Sequence, residues 1–238
     1  MSPTDLIIAL IVTFIAAAIQ GVVGIGFAMV SVPILALVNP SLAPVPQLLI
    51  TLPLTVSMAW RERRHIESSG IGWVIMGRVP GAIFGVALLI VATQQTLDLA
   101  IAAIVLAAVA IIASGYHVKR TPRSEFGAGV LSGVGGLVAS IGGPPLALLY
   151  TRDDGPTIRS NVAAIATIGL LITISARWIS GNISTSDLHV AAMLFPALVG
   201  GYLLSMRFKS RVSQRLVRDS ILLLSMLGAI GLIIRAVV

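Results

Sequence analysis

The chain has 238 residues, of which 57% are hydrophobic and only 11% are charged, and this composition excludes an ordinary soluble globular domain. Its net charge of +7 does not indicate a nucleic-acid partner, because the basic residues stand in short loops between apolar runs, where they determine membrane orientation. The sequence contains no cysteine, which excludes disulfides and thiolate metal sites.

Eight apolar segments follow one another along the chain. They lie at residues 6–38, 43–60, 71–92, 97–117, 126–150, 160–180, 187–206 and 219–237. A helix needs about 20 apolar residues to cross a hydrocarbon core of roughly 30 Å. The first segment is too long for one crossing, since a continuous helix over it would reach about 50 Å. The sequence therefore predicts an all-α polytopic membrane protein whose first segment is broken or re-entrant.

One stretch of sequence occurs twice. Residues 20–37 read QGVVGIGFAMVSVPILAL, and residues 132–149 read SGVGGLVASIGGPPLALL. A gap-free shift of 112 positions superposes Gly21 on Gly133, Val22 on Val134, Gly24 on Gly136, and Pro33 on Pro145. Glycine and proline weaken a helix, and paired interruptions of this kind point to a transporter's binding site. We expect breaks at matching positions, with Pro33 and Pro145 in the first turn of each resumed helix.

Loops rich in Lys and Arg predict the orientation in the membrane. They follow segments two, four and seven, at 61–65, 119–123 and 207–218, and the positive-inside rule places all of them in the cytoplasm. Single crossings would put the last two on opposite sides, and this conflict disappears if segment five enters and returns. Arg152 and Arg159 then also lie inside. The same interpretation of segment one puts the N-terminus in the periplasm of a bacterial inner membrane.

The charge of matching loops alternates between the two halves. The basic loop 61–65 matches 181–187, which has no Lys or Arg, and 92–98, also without them, matches the basic loop 207–218. Inverted-topology repeats require such a change of side, whereas parallel repeats do not. We therefore predict two inverted four-segment repeats in a single membrane domain, with the first segment of each repeat broken or re-entrant. Their predicted bounds are 1–119 and 120–238.

The second motif copy (132–150), followed by TIRSNVAA at 157–164, resembles the sulfite exporter TauE/SafE family of bacterial membrane proteins. Its more specific parts are GGPP at 142–145 and RSN at 159–161. The first copy departs from the family's run of consecutive glycines, since it reads GIGF from Gly24 onward. The resemblance spans the whole chain. It implies export of sulfite or a small organosulfonate such as sulfoacetate across the cytoplasmic membrane.

The broken segments predict an anion site. A helix that resumes after a break exposes unpaired N–H groups and about half a positive charge at its N-terminus, and glycine lets the backbone approach a ligand closely. Two segments entering from opposite faces bring such ends together near the membrane midplane. The candidate substrate-binding residues are Gln20, Gly21, Gly24, Gly26, Ser31, Arg78, Ser132, Gly136, Ser140, Gly142, Gly143, Arg159 and Asn161.

Three arginines in or beside the apolar segments have competing interpretations. Arg78 lies within segment three, where a cation is expected to be functional, with snorkelling to the cytoplasmic face as the alternative. Arg159 either gathers anions at a cytoplasmic mouth or marks orientation. Arg177, beside Trp178, is expected to anchor its helix at the outer interface. For each single glycine, close helix packing is the alternative to ligand binding.

The nine acidic residues fall in loops or at segment ends, so no carboxylate is expected to coordinate a cation inside the membrane. The predicted partners are a small anionic sulfur compound and the lipid bilayer, without nucleic acid, cofactor or metal; a homodimer stays open. An anion channel on the same repeats is the alternative function. An intramembrane enzyme is disfavoured and no enzymatic activity is expected, because neither HExxH nor Gly-x-Ser-Gly occurs.

Overall fold

The computed structural model describes residues 1–67, 69–150, 155–208 and 213–237. The regular secondary structure of these ranges is entirely helical, which confirms the predicted all-α class. The α-helices in them are α1 (Pro3–Val23), α2 (Phe27–Val38), α3 (Val45–Arg61), α4 (Ile71–Val91), α5 (Gln94–Ser114), α6 (Pro122–Ala139), α7 (Gly143–Tyr150), α8 (Gly155–Ile179), α9 (Thr185–Phe208) and α10 (Gln214–Val237).

Seven of these helices in the described ranges are long and apolar enough to cross a membrane, namely α1, α3, α4, α5, α8, α9 and α10. The predicted first segment is divided into α1 and α2, and the predicted fifth segment into α6 and α7. The broken segments are therefore present, and the fifth does not supply a helix of spanning length and hydropathy.

Local sequence signals set several helix ends. Ser2 and Asp5 form a capping box at the start of α1, with Pro3 in the first turn. The side chains of Thr93 and Thr121 cap α5 and α6 by accepting hydrogen bonds from backbone N–H groups three residues on. These caps satisfy N–H groups that have no acceptor within their own helix, so the ends of the helices are well defined.

Both broken segments form helical hairpins whose two ends lie together. In the first hairpin (α1–α2), Nδ2 of Asn39, just after α2, donates to Oδ2 of Asp5 in the first turn of α1, at 3.2 Å. In the second hairpin (α6–α7), the guanidinium of Arg120, just before α6, lies 4.7 Å from the ring centroid of Tyr150 at the end of α7. Each hairpin thus returns to the end of the molecule from which it starts.

The basic loops gather at one end of the molecule. Arg120 pairs with Glu67 at 3.3 Å, which joins the loop after α5 to the loop after α3, and Arg218 donates to the carbonyl of Ala113 at 3.3 Å, which adds the start of α10. We call this the basic end, and its arginines and lysine are Arg61, Arg63, Arg64, Lys119, Arg120, Arg123, Arg159, Arg215 and Arg218. Arg152, Lys209 and Arg211, predicted to lie on the same side, are outside the described residues.

The packing of the helices falls into symmetric sets when α1 to α5 are matched in order with α6 to α10. α4 packs along α6 as α9 packs along α1, and α3 contacts α9 as α8 contacts α4. α3 also packs against α8, and α5 against α10, so these two pairs are their own counterparts. These pairs match between the two halves, whereas the contacts of α6 with α8 and of α2 with α5 have no counterpart of comparable extent.

Glycines bring α4 and α6 into backbone contact. A Cβ atom on Gly77 would lie 2.1 Å from the carbonyl oxygen of Phe126, and one on Gly129 would lie 2.2 Å from that of Val74. Side chains larger than hydrogen do not fit at these positions, and close helix packing of this kind is typical of membrane proteins. The packing places Arg78, one residue after Gly77, against α6 and α8.

Candidate functional site

The first hairpin breaks at Gly24–Gly26. Gly24 and Gly26 have φ angles of 100° and 118°, a left-handed conformation that glycine adopts without a steric penalty. Gln20 spans the break, since its backbone carbonyl accepts from Gly24 N–H at 2.7 Å and its Oε1 accepts from Phe27 N–H at 3.0 Å. The predicted residue Gln20 therefore fixes the geometry of the break and joins the end of α1 to the start of α2.

The second hairpin breaks at Ser140–Gly142. Ser140 has a φ of 59°, and among the described residues it is the one non-glycine with a positive φ. Its Oγ donates to the carbonyl of Pro44, just before α3, at 3.0 Å. Ser132 spans the break from within α6, because its Oγ donates to the carbonyl of Gly142 at 2.6 Å. The Ser132 hydroxyl thus joins the two sides of this break as Gln20 does in the first hairpin.

Two positional expectations about the breaks are wrong. Gly136, the match of Gly24, lies inside α6, and the second break begins at Ser140, four positions further on. Pro33 lies in the interior of α2, whereas Pro145 is in the first turn of α7 as predicted. Neighbouring helices stabilise α6 and α2 enough to accommodate an interior glycine and an interior proline, which is common within membrane proteins.

Arginines from α3 and α8 bind the C-termini of the two broken helices. Nη2 of Arg61 donates to the carbonyl of Gly21 in α1 at 3.3 Å, and Nε of Arg177 donates to that of Leu137 in α6 at 2.8 Å. Carbonyls at a helix end have no donor within the helix, and the negative end of the helix favours a cation. Arg177 is buried, so its predicted role as an interface anchor is wrong.

A cavity of about 60 Å³ lies between the two breaks and helices α3, α4 and α8; we call it the central cavity. Of the predicted site residues, it is lined by Gln20, Gly24, Gly26, Arg78, Gly136, Ser140, Gly142 and Gly143. Hydroxyl groups of α3 add to its polar wall through Thr51 and Thr55. Both copies of the duplicated motif therefore contribute residues to the wall of one small cavity.

Arg78 is the cation of the central cavity. Its side chain is only 2% exposed, so the snorkelling interpretation is wrong. Nη1 donates to the carbonyl of Ile165 at 3.3 Å, and Nη2 to that of Ser132 at 3.5 Å. Nε has no hydrogen-bond partner. Within the described part of the chain, the guanidinium is held by weakly bonded neutral carbonyls and keeps an uncompensated positive charge.

The guanidinium of Arg78 packs directly against three glycines. A Cβ atom on Gly169 of α8 would lie 1.9 Å from Cζ of Arg78, and one on Gly142 or Gly136 would lie 2.9 or 3.0 Å from its Nη2. Gly169 was not predicted, although an isolated glycine in the middle of a long apolar helix is a usable signal of close approach. The glycines let the charged group sit at the cavity wall without filling the cavity.

The carboxylates that are buried in the described structure are, in contrast, each paired with an arginine. These pairs are Glu62 with Arg159, Asp98 with Arg235, and Glu125 with Arg120. The Arg159 pair is the most deeply buried of the three, with Nε 3.0 Å from both carboxylate oxygens of Glu62. Glu62 was predicted only as part of a basic loop, since its partner lies 97 residues away in the chain.

The other predicted site residues lie outside the lining of the central cavity. Gly21 packs against α9, where a Cβ atom would lie 1.9 Å from Oγ of Ser205. Ser31 is buried within α2, and its hydroxyl has no hydrogen-bond partner. Oδ1 of Asn161 accepts from the N–H of Glu67 at 2.8 Å, which ties α8 to the loop after α3. Ser132 and Arg159 act at the break and in the ion pair described above.

The donors around the central cavity fit an anion. One buried cation and the N-terminal residues of two helices line it, and its lining residues include no carboxylate. The hydroxyls of Thr51, Thr55 and Ser140 already donate to backbone carbonyls. Within the described ranges, no three His, Cys, Asp or Glu residues stand close enough to hold a metal ion. The positive charge and the N–H groups of the cavity wall therefore match a small anion.

Comparison with known protein families agrees with this geometry. The family model "Sulfite exporter TauE/SafE" matches residues 9–232, almost the whole chain. No curated protein and no solved structure matches the chain. The match contains the breaks of both hairpins and every residue that lines the central cavity. The chain is a multi-pass membrane protein that belongs to the sulfite exporter TauE/SafE family of transporters.

Proposed function

We propose that this protein exports a small sulfur oxyanion, sulfite or a compact sulfonate such as sulfoacetate, and that the anion binds in the central cavity. The observation that carries the proposal is Arg78, a buried cation at the cavity wall whose contacts in the described structure are neutral carbonyls. Burying a charge without a counter-charge is costly, and such a residue in a membrane marks a substrate pathway by default. An anion in the cavity supplies the missing charge.

The two breaks add backbone donors to this site. Ala28 and Met29 line the cavity in the first turn of α2, where N–H groups have no acceptor within the helix. Gly142 and Gly143 line it at the start of α7. Donors at helix N-termini bind oxyanions through the positive end of the helix dipole. The guanidinium and the two helix ends therefore surround an oxyanion with donors from three sides.

The size of the cavity favours a compact anion. Its volume is about 60 Å³, while a single water needs roughly 10–15 Å³. On this scale the cavity has room for about four to six waters, so a group of sulfite size fits within it. An organosulfonate with a longer chain needs the cavity to widen, so we place sulfite and the smallest sulfonates first among the substrates.

We further propose that the chain consists of two inverted-topology repeats, residues 1–119 and 120–238, that meet at this site. Support comes from the symmetric packing sets and from the two hairpins, whose open ends lie at opposite ends of the molecule: Arg120 and Tyr150 at the basic end, Asp5 and Asn39 at the other. Inverted repeats with broken helices around a central site allow alternating access.

The proposed orientation follows from the same contacts. The basic end gathers the loops richest in Lys and Arg, and such loops favour the cytoplasm. The N-terminus lies at the opposite end, beside Asn39, and is then periplasmic in a bacterial inner membrane. Export carries the anion from the basic end to the end that holds the N-terminus.

Counterflow in proteoliposomes tests this function. We expect vesicles loaded with sulfite to take up labelled sulfite against its gradient with saturable kinetics, because a carrier exchanges substrate through one site. Flux that does not saturate and shows no counterflow would favour the anion-channel alternative. Absence of any sulfite flux in correctly folded protein would overturn the proposal.

Gly142→Leu should abolish this flux while leaving membrane insertion intact, because a Cβ atom at this position would lie 2.9 Å from Arg78 Nη2 and from Ser132 Oγ. Gly143→Leu should have the same effect, since its Cβ atom would lie 3.2 Å from Ile25. Gly72→Leu is the matched control, since nothing lies within 4 Å of a Cβ atom at that helical glycine. Equal flux in Gly142→Leu and Gly72→Leu would show that the helix breaks are not part of the transport site.

A further inference from the structure

A large cleft opens at the basic end between the first hairpin and helices α5 and α10. It consists of two adjoining parts of about 370 and 560 Å³. The parts share four lining residues, Val23, Ile25, Ile112 and Arg218. We call their union the basic cleft, because three arginines and one carboxylate line it: Arg159, Arg215, Arg218 and Asp219. Arg159 is paired with Glu62, so Arg215 and Arg218 supply the excess positive charge.

The basic cleft runs from the surface to the interior. At its rim Tyr116 is 67% exposed, and at its floor Arg159 is 4% exposed. Ala147 and Leu148 of α7 form part of its wall. Since α7 has eight residues and a helix rises about 1.5 Å per residue, the start of α7 beside the central cavity lies about 12 Å in from the basic end.

Among the described residues, one side chain lines both this cleft and the central cavity, and it is Ile25. Gly24 and Gly26 flank it in left-handed conformations, which place it at the tip of the first hairpin. On the far side it faces the start of α7, where a Cβ atom on Gly143 would lie 3.2 Å from Ile25 Cγ2. A single apolar side chain at the meeting point of the two hairpin tips therefore separates the two spaces.

We infer that the basic cleft is the route by which an anion reaches the central cavity, and that Ile25 is the barrier between them. This inference rests on the proposed function, since it takes the central cavity as the anion site. Clefts lined with positive charge raise the local concentration of anions, and an apolar constriction stops hydrated ions by excluding water. Arg215 and Arg218 collect the anion, and Ile25 controls its entry.

The side chain at position 25 then determines access and size selection. Shortening it opens the path between cleft and cavity, and enlarging it closes the path more tightly. Ile112 offers a matched control, because it lines both parts of the cleft but not the central cavity. Truncation at Ile112 removes the same kind of apolar group from the same cleft and leaves the barrier in place.

Thiol labelling tests the route without any transported substrate. The chain contains no cysteine, so Thr55→Cys places a single thiol on the wall of the central cavity. The probe is a small methanethiosulfonate that carries a sulfonate, added to membranes from the basic end. We expect Ile25→Ala to accelerate labelling about tenfold or more relative to the Thr55→Cys parent, as removal of an apolar constriction does, and Ile112→Ala to leave the rate unchanged.

Further variants separate the barrier from the charge and from misfolding. Ile25→Trp should slow labelling below the rate of the parent, an outcome that a loosened or misfolded protein does not give. Arg218→Gln should slow the anionic probe but not a neutral methanethiosulfonate of similar size. Unchanged labelling in both Ile25 variants, or equal acceleration by Ile112→Ala, would overturn the inference. If sulfite still binds in that case, the proposed function stands and only the route is wrong.

Discussion

The two hairpins solve the same structural problem with different side chains. In the first, glycines at positions 24 and 26 turn the chain and an amide, Gln20, joins the two helices. In the second, Ser140 takes the left-handed conformation and Ser132 joins the helices through its hydroxyl. The C-termini of α1 and α6 nevertheless bind the same kind of group, because each accepts a hydrogen bond from an arginine at the end of α3 or α8.

The difference that matters for function is the charge. Aligning the internal prolines of α4 and α9, Pro80 and Pro196, places Leu194 at the position of Arg78. Leu194 is fully buried and apolar, so the second half supplies no counterpart to the guanidinium. Among the described residues that line the central cavity, Arg78 is the one cation, and the proposed function therefore makes anion binding depend on Arg78.

The largest expected effect comes from displacing the Arg78 guanidinium by a substitution at Gly169, one of the glycines against which it packs. Gly169→Ala places a methyl group 1.9 Å from Arg78 Cζ and should displace the guanidinium from the cavity wall. We expect sulfite affinity, measured by calorimetry, to fall by about 30-fold or more, the scale for losing a buried charged partner. Gly72→Ala, at an open helical glycine, should bind as the parent does. Equal sulfite affinities in both variants would show that the packing of Arg78 against Gly169 has no role in sulfite binding.

The two arginines at the helix C-termini should differ in their contribution to stability. Arg177→Gln removes buried, charge-assisted hydrogen bonds to α6 and should lower the free energy of unfolding by about 1.5–3 kcal/mol. Arg61→Gln acts at a side chain that is 22% exposed, where the loss should be below about 1 kcal/mol. Thermal unfolding in detergent measures both, and a larger loss for Arg61→Gln would reverse the comparison.

The smallest change in stability is expected for Ser140→Gly, which gives the second break a left-handed glycine like those of the first break. Ser140→Gly relieves a left-handed serine but loses the hydrogen bond to Pro44, two changes of about 1 kcal/mol each with opposite sign. The melting temperature should therefore move little. Gly24→Ala, in the corresponding break, should destabilise clearly, because the new Cβ would lie 2.6 Å from Arg159 Cγ at a φ of 100°. Similar shifts in both variants would contradict this account.

The sequence was sufficient for the helical class, the two broken segments and eight of the residues that line the central cavity, because glycine pairs such as Gly24 and Gly26 interrupt a helix wherever packing does not compensate. It was insufficient for the register of the second break, since α6 tolerates Gly136 in its interior. The partners of Arg177 and Glu62 lie 40 and 97 residues away. Contacts at such separations depend on tertiary packing, which no local pattern reveals.

The central claim is that a sulfur oxyanion binds at Arg78 between the two breaks. Calorimetry with purified protein tests it most directly, using sulfite, sulfate, sulfoacetate, taurine and acetate against the parent, Arg78→Gln and the exposed-arginine control Arg64→Gln. We expect sulfite to bind the parent and Arg64→Gln equally, and Arg78→Gln about 30-fold or more weakly. Equal sulfite affinity in the parent and Arg78→Gln would contradict the account.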